Sequence, residues 1–556
     1  VTGATRSTDM NVIQTDFFSY IHDISVPVDF RIQYNSWYDF MLDINENNIL
    51  DSFREVERGL TQNGVRPIDS YVVDDGWNAY GPWQEENKAK FWSFNSKFPH
   101  ELSTPSDLSH RLSSNFGLWL GPRGGYNYYI KFARFLEENG NGKLNCNSSD
   151  ICTNHKVYCE KLKMFFLDCQ QRFDVNYWKL DGFLVRPQGN YISGGYQGMC
   201  YVTEHWERWI DIFQAMRDQR GAKRNDLWIN LTCYVNPSPW FLQWGNSVWM
   251  QNSQDIGRLN VKRPSQLDQL LSYRDDRYFD FVKTRAFQFP LAHLYNHDPI
   301  YGNTANLAGK MDDDEFRTYL MMMATRGSAF WELYYSYNMM NEGQKWVINA
   351  DVLHWINDNY ETLKHAKLIG QAPAKGTPYG YSAWSGQEGI ISVRNPSDEV
   401  KEFTFPLDRT IGMPEGLKGL HRTYVWAYRT DEQKAEDTEN HLFDYGGQIS
   451  LSLQPGEVRI WKFSTVPDKE APALRIVKTT SPTSLTVELN EPVILKDGIF
   501  SVSGNEVTAT SLSADRRVVT LTLAREMRED DKYRLNISGV TDDAGNTEAL
   551  RTAFFY

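Results

Sequence analysis

The chain has 556 residues, a formal net charge of −13 and an isoelectric point near 5.4. An acidic surface of this kind excludes nucleic acid and anionic membrane as principal partners, because both are held by clusters of Lys and Arg. The length exceeds a single hydrophobic core and predicts about three domains, while 18 Trp and 30 Tyr supply enough aromatic surface to bind a neutral ligand as well as to fill a core.

Residues 1–30 precede the first strand signal as an N-terminal extension. Val1-Thr2-Gly3-Ala4-Thr5 shows no signal-peptide pattern and reads as the start of a mature or trimmed chain. From about Arg31 to His365, short β-branched or aromatic runs alternate with segments of helical period, which predicts a parallel (β/α)8 barrel over 31–365. The expected strands are Arg31–Trp37, Ser70–Gly76, Gly117–Gly121, Tyr177–Gly182, Leu227–Cys233, Ser247–Gln251, Arg285–Phe289 and Phe330–Tyr335. Between them, Asn48 to Val56 carries helical spacing that Asn63-Gly64 closes. Asp312-Asp313-Asp314-Glu315 leads straight into an apolar periodic segment, so it reads as a favourably charged helix start rather than a metal site.

After about Leu368 short strands separated by Gly, Pro, Asn and Asp predict an antiparallel β-sandwich over 366–466. Pro467 to Pro472 reads as a linker, and residues 467–556 as a further β domain. Its Asn490-Glu491-Pro492-Val493 segment and Asp542-Asp543-Ala544-Gly545-Asn546 turn resemble a bacterial Ig-like module; the two acids of that turn read as turn formers rather than calcium ligands. This modular arrangement carries the expectation of export to the periplasm, cell surface or medium.

Six cysteines lie in the first half, and Cys146 and Cys152 bracket a polar loop that a disulfide would staple in an oxidising compartment. There is no CxxC or HExxH spacing, so no metal or other cofactor is expected. No apolar run approaches the ~20 residues of a membrane span.

Two runs carry the chemistry. Tyr71-Val72-Val73-Asp74-Asp75-Gly76-Trp77 and Tyr177-Trp178-Lys179-Leu180-Asp181-Gly182-Phe183 each pass from strand formers to acid, glycine and aromatic. Carboxylates accept hydrogen bonds from sugar hydroxyls and indole faces stack on the C–H side of a pyranose, so a polyhydroxylated ligand is expected. On a barrel the site lies at the C-terminal strand ends, where Asp74, Asp75, Asp181 and Asp255 should converge.

These motifs resemble those of the retaining α-galactosidases and α-N-acetylgalactosaminidases of glycoside hydrolase families 27 and 36. The resemblance runs from about Gln33 to Ile256. Asn35-Ser36-Trp37 is similar to their first-strand tryptophan, Asp74-Asp75-Gly76-Trp77 to their paired acids, and Trp92, Asn95 and Lys97-Phe98-Pro99 to a downstream element. Gly117-Leu118-Trp119-Leu120-Gly121-Pro122 is similar to a G-L-W-F-E-P strand, without its Glu. Lys179-Leu180-Asp181-Gly182 matches the K-[FW]-D motif. The resemblance implies Asp181 as nucleophile and Asp255 as acid and base, with Trp37, Asp74, Asp75, Trp77, Trp119, Lys179, Cys233 and Tyr234 around the sugar. Of a C-x-x-G-G-x-R element only Cys233 corresponds. Aligned on Trp249 the acid position falls on Asn252, and aligned on Asp255-Ile256 it falls on Asp255, which is favoured because the site needs a protonatable group.

The implied reaction is removal of a terminal α-galactosyl or α-N-acetylgalactosaminyl residue from an oligosaccharide or glycan through a covalent glycosyl-enzyme. Retention places the two carboxyls about 5–5.5 Å apart. Lys179 is expected to keep Asp181 ionised, and Asp255 to have a raised pKa. Another pyranoside, glucosyl or arabinosyl, and an inactive carbohydrate-binding barrel are the alternatives. Asn296-His297-Asp298-Pro299, Arg123, Arg186, Trp240 and Trp244 are further candidates for sugar contact or for structural roles.

Overall fold

The computed structural model describes residues 5, 7–81, 91–126, 129–145, 148–182, 196–232, 238–257, 259, 265–305, 311–430, 442–465, 471–495, 499–513, 516–529, 531–542 and 545–556. The chain divides into two units, Val1–Lys375 and Gly376–Tyr556.

The first unit is built on one sheet, in the order Ile300–Tyr301, Phe330–Tyr335, Arg31–Asn35, Ser70–Val73, Phe116–Leu120, Val175–Asp181, Trp228–Thr232, Ser247–Trp249 and Leu294–Tyr295. All neighbours run parallel. Leu294–Tyr295 and Ile300–Tyr301 are two halves of one broken strand, so the nine pieces make eight barrel strands. The ring closes where the Ala329 amide donates to Ala292 O at 2.9 Å and the Tyr334 amide to Pro299 O at 3.1 Å.

The seventh strand is a correction. Arg285–Phe289 is not extended into the sheet; it follows a π-helical turn at Asp280–Thr284, and Ala286 is left-handed at φ 52°. Phe287 and Phe289 instead pack on Phe281, with ring centroids 4.9 and 6.2 Å away. An apolar run used for packing a helix end resembles a strand in composition.

The helix starts follow their caps. Glu46–Thr61 opens on a reciprocal cap between Asn45 and Asn48, and Gly64 beyond its end takes φ 74°. Asp312 accepts from the Glu315 amide and caps Asp313–Thr325, as the acid run predicts. Within 1–30, Met10–Ile24 is a helix capped by Asp9.

Barrel interiors are ordinarily filled by branched apolar side chains. Here three polar tiers occupy that place. At the N-terminal end Arg31 bonds Gln33, Ser70 and Asn176. In the middle Glu332, with no exposed surface, accepts from Gln33 Nε2, Asn35 Nδ2, and the hydroxyls of Tyr177, Tyr295 and Tyr334. Above it stand Asn35, Asp74, Lys179 and Tyr334. Every one of these polar groups finds a partner, which is the condition for burying it.

In the second unit Tyr379–Ser385, Glu388–Arg394, Val458–Ser464 and His421–Tyr428 pair antiparallel in that order, and Lys401–Pro406 pairs with Gln448–Leu453. Farther along, a four-stranded sheet (Leu474–Ser481, Ser484–Leu489, Val518–Leu523, Val507–Leu512) and a three-stranded one (Ile499–Val502, Lys532–Ser538, Leu550–Phe555) enclose a core that includes Leu485, Val487, Val519, Leu535 and Phe554. Asp542 accepts from the backbone and side-chain nitrogens of Asn546 at 2.7 and 2.8 Å, a turn-forming contact. Asp543 lies outside the described residues.

Candidate active site

Three barrel strands carry acids at or just beyond their C-terminal ends: the second (Asp74 and Asp75), the fourth (Asp181) and the sixth (Asp255). Asp74 follows Ser70–Val73 and is 1% exposed. Its Oδ2 accepts from Lys179 Nζ and Asn35 Nδ2, both at 2.8 Å. Asp75 turns the other way, as successive strand residues do: its Oδ1 accepts from Tyr80 OH at 2.5 Å and its Oδ2 from the Tyr126 amide at 3.0 Å. With no exposed surface, Asp75 ties down the loop after the third strand rather than facing the mouth beside Asp74. Burial is the main influence on its carboxyl, which is pushed up to about 7 against the two donors that favour its charge.

This shift carries a sign. The folded protein keeps the Asp75 proton where the unfolded chain, with an ordinary carboxyl near 3.9, has lost it, so this group makes stability fall as pH rises from about 4 to 7. Asp75→Asn removes the titration. The stability difference between Asp75→Asn and the parent, followed by urea unfolding across that range, is expected to move in favour of the variant by on the order of 4 kcal/mol. A difference that stays flat with pH would show that Asp75 titrates in the fold as it does in the unfolded chain.

Asp181 closes the fourth strand. Its Oδ2 accepts from Tyr126 OH at 2.9 Å and Trp119 Nε1 at 3.3 Å. Tyr126 also stacks on Trp37, at 5.2 Å between ring centroids and 26° between planes. Burial raises the Asp181 carboxyl, with Lys179, the Tyr126 hydroxyl and His297 pulling in the opposite direction. Lys179 therefore acts on Asp181 through space, favouring its ionised form against the cost of burial, while its ion pair is made with Asp74.

Asp255 lies across the mouth, beyond the sixth strand. Tyr38 OH donates to its Oδ2 at 3.0 Å, and His297 Nδ1 stands 3.1 Å from its Oδ1. Burial works to raise this carboxyl, but His297, Lys179 and the Tyr38 hydroxyl together hold it well below the usual carboxylate range. The expected raised pKa is thus reversed, because His297 and the Tyr38 hydroxyl meet the two oxygens and Lys179 adds its field. Lys179 and His297 act on Asp181 and Asp255 alike. Asn252, the other alignment for the acid, faces away and donates to Arg277 O and Asp280 Oδ2.

Trp77 and Trp119 are placed differently from the expectation. Trp77 is fully buried; its Nε1 donates to Trp119 O, and its ring packs on Phe94 and Phe165, so it offers no face to a sugar. Trp119 is buried too and meets the site edge-on through its N–H. Trp240 packs edge-on to Tyr20, and Trp244 to Trp206. Cys233 and Tyr234 lie outside the described residues, as do Arg186 and Cys146. Arg123 pairs with Asp150.

The missing Glu of the third strand has a steric reason. A Cβ on Gly121 would stand 2.5 Å from Gly124 O and 2.8 Å from the Trp119 ring. The turn through Gly124-Gly125 brings Tyr126 to the site instead, a residue that the strand motifs do not mark. Arg274 is also revealed by the fold, and His297, a sequence candidate for sugar contact or a structural role, meets Asp255. Arg274 donates to the backbone oxygens of Gln254 and Asp255 at 3.1 and 2.6 Å and pairs with Asp298 at 2.9 Å, so it pins the loop that presents Asp255. Asp298 is taken up by this pair and by Arg326. Among the described residues no cluster of His, Cys, Asp and Glu suits a metal ion, and no helix is long and apolar enough to cross a membrane.

No protein-family model matches the sequence, and no curated protein matches it. Solved structures do. The GH36 α-galactosidase AgaA from Geobacillus stearothermophilus is 12% identical with a TM-score of 0.52; the match covers 82% of this chain and 59% of that one, so the chain spans less than two thirds of that enzyme's length. A GH27 β-L-arabinopyranosidase from the same organism, solved as a variant with arabinose, is 11% identical with a TM-score of 0.50, over 83% of this chain and 100% of that one. The chain has the TIM-barrel-plus-β-domain fold of solved family 27 and family 36 glycoside hydrolases.

Proposed function

We propose that the protein is a retaining exo-α-glycosidase that removes a terminal α-linked galactosyl or N-acetylgalactosaminyl residue. The observation that carries this reading is the placement of Asp181 and Asp255 at the mouth of one barrel, both within the fields of Lys179 and His297. In the first step Asp181 forms a bond to the anomeric carbon as the glycosidic C–O bond breaks and the leaving oxygen takes a proton from the Asp255 side. In the second, water attacks that carbon, returns a proton and frees Asp181. Trp119 and Tyr126 hold Asp181 in one orientation through the oxygen they share, which fixes the attacking geometry before substrate arrives. Asp74 and Lys179, an ion pair at the strand ends, present an acceptor and a donor to adjacent sugar hydroxyls. An arabinopyranoside is the second reading, supported by the fold shared with the arabinopyranosidase.

Aryl α-galactoside, α-N-acetylgalactosaminide, α-glucoside and β-L-arabinopyranoside, assayed in parallel with the product anomer read by NMR, test the proposal. Turnover of the galactoside or the N-acetylgalactosaminide with release of the α-anomer first is expected. First release of the β-anomer from that substrate would replace retention by inversion. Silence on all four would leave a sugar-binding barrel without activity.

A further inference from the structure

We infer that Asp255 and His297 work as one acid–base pair, sharing a single proton that passes through Asp255 to the leaving oxygen and is regained from the attacking water. The inference rests on the glycosidase reading and adds to it a second residue in the proton path.

The geometry has three parts. Both oxygens of Asp255 are engaged, Oδ2 by the Tyr38 hydroxyl at 3.0 Å and Oδ1 by His297 Nδ1 at 3.1 Å. A carboxyl met on one side by a hydroxyl donor and on the other by an imidazole nitrogen is arranged as a carboxylate, so the proton it gives away has to be held next to it. The His297 contact is short, though Nδ1 makes no well-aligned hydrogen bond across it. The imidazole is also fixed in place: it is 7% exposed and boxed by Tyr38, Trp249, Tyr295 and Tyr334, with ring centroids 6.3, 6.3, 5.1 and 5.5 Å away.

The charges around the pair agree with a shared proton. Tyr38, Tyr295 and Tyr334 all have hydroxyls pushed up by burial and stay neutral. Lys179 lies over the Tyr334 ring, 5.3 Å from Nζ to its centre, and is itself paired with Asp74. Arg274 approaches from the loop side and is paired with Asp298. Asp181, at the end of the fourth strand, lies within the field of His297. A carboxyl held low by its neighbours in this way is by itself a weak proton donor near neutrality. A coupled carboxylate and imidazole lose their proton in steps that belong to the pair, and a histidine brings that step into the range where a general acid works. The balance is complete: one proton leaves the pair as the glycosidic bond breaks, and one returns when water adds to the glycosyl-enzyme.

His297→Gln tests the pair with two aryl glycosides of the accepted sugar, one with a dinitrophenol leaving group that departs without a proton and one with an unactivated phenol. The expected result is a loss of about 10²-fold on the unactivated substrate at pH 7 and under tenfold on the dinitrophenyl substrate, with the alkaline limb of the pH profile moved acidward by about one unit. Equal losses on both substrates with an unmoved limb would reduce His297 to a structural residue. A second measurement needs no turnover: in 13C-histidine-labelled protein, the His297 titration followed by NMR is expected to move to lower pH in Asp255→Asn, and an unchanged titration overturns the pair. A parent enzyme silent on every glycoside defeats the glycosidase reading, while the NMR titration still decides the pair.

Discussion

Asp181→Asn is expected to lower turnover of the accepted aryl α-glycoside by at least about a thousandfold while leaving the protein folded. The replacement is isosteric, and its carbonyl oxygen accepts the same two donors, Tyr126 OH and Trp119 Nε1. What it loses is the charge that attacks the anomeric carbon. Stability should move in the opposite direction. Burial raises the folded Asp181 carboxyl, so above the unfolded pKa the parent carries a penalty that a neutral amide removes. The variant is therefore expected to be dead and at least as resistant to urea at pH 7 as the parent. Activity within tenfold of the parent would take the nucleophile away from Asp181; an unfolded variant would show that the carboxylate is needed by the barrel rather than by the reaction.

The parts of this site that are legible in the chain are those where one residue type has one outlet. A strand ending in Asp-Asp-Gly or Lys-Leu-Asp-Gly puts acids at the barrel mouth whatever surrounds it, and Phe330–Tyr335 is bounded in the structure as its aromatic run predicts. Glu332 shows a signal that was available: an acid at the centre of an apolar strand, in phase with Phe330 and Tyr334, points inward and must meet partners there. Other features depend on distant residues. Trp77 is drawn into the core by Phe94 and Phe165, and nothing in Asp-Asp-Gly-Trp tells an inward indole from an outward one. Tyr126 reaches Asp181 because a glycine turn brings it back over the third strand, and His297 meets Asp255 because the seventh strand is broken between Tyr295 and Ile300. The pKa of Asp255 follows from that meeting, so its direction could not be read from the acid alone.

The same dependence on distant partners makes Lys179 the residue whose loss should cost the fold most. The residue is 2% exposed; its ammonium donates to Asp74 Oδ2 and Tyr334 OH and answers three carboxylates. Burial alone would lower its pKa, but Asp74, Glu332 and Asp181 together raise it, so its charge is kept through neutrality and its stabilising contribution fades only in strong alkali. Lys179→Met preserves the length of the side chain and removes the charge. Asp74 and Glu332 are then left bonded to the same Asn35 amide with no cation between them. Breaking a buried pair from one side costs about 3–5 kcal/mol, and urea unfolding at pH 7.5 is expected to show a loss of that size. The remedy open to the variant is to protonate one of the stranded carboxyls, which raises its folded pKa. Its deficit against the parent should accordingly shrink as the pH is lowered from 7.5 to 5. A loss below about 1 kcal/mol at both pH values would mean that the polar tiers neutralise themselves without Lys179, and that its place between Asp74 and Tyr334 is kept for the ligand rather than for the fold.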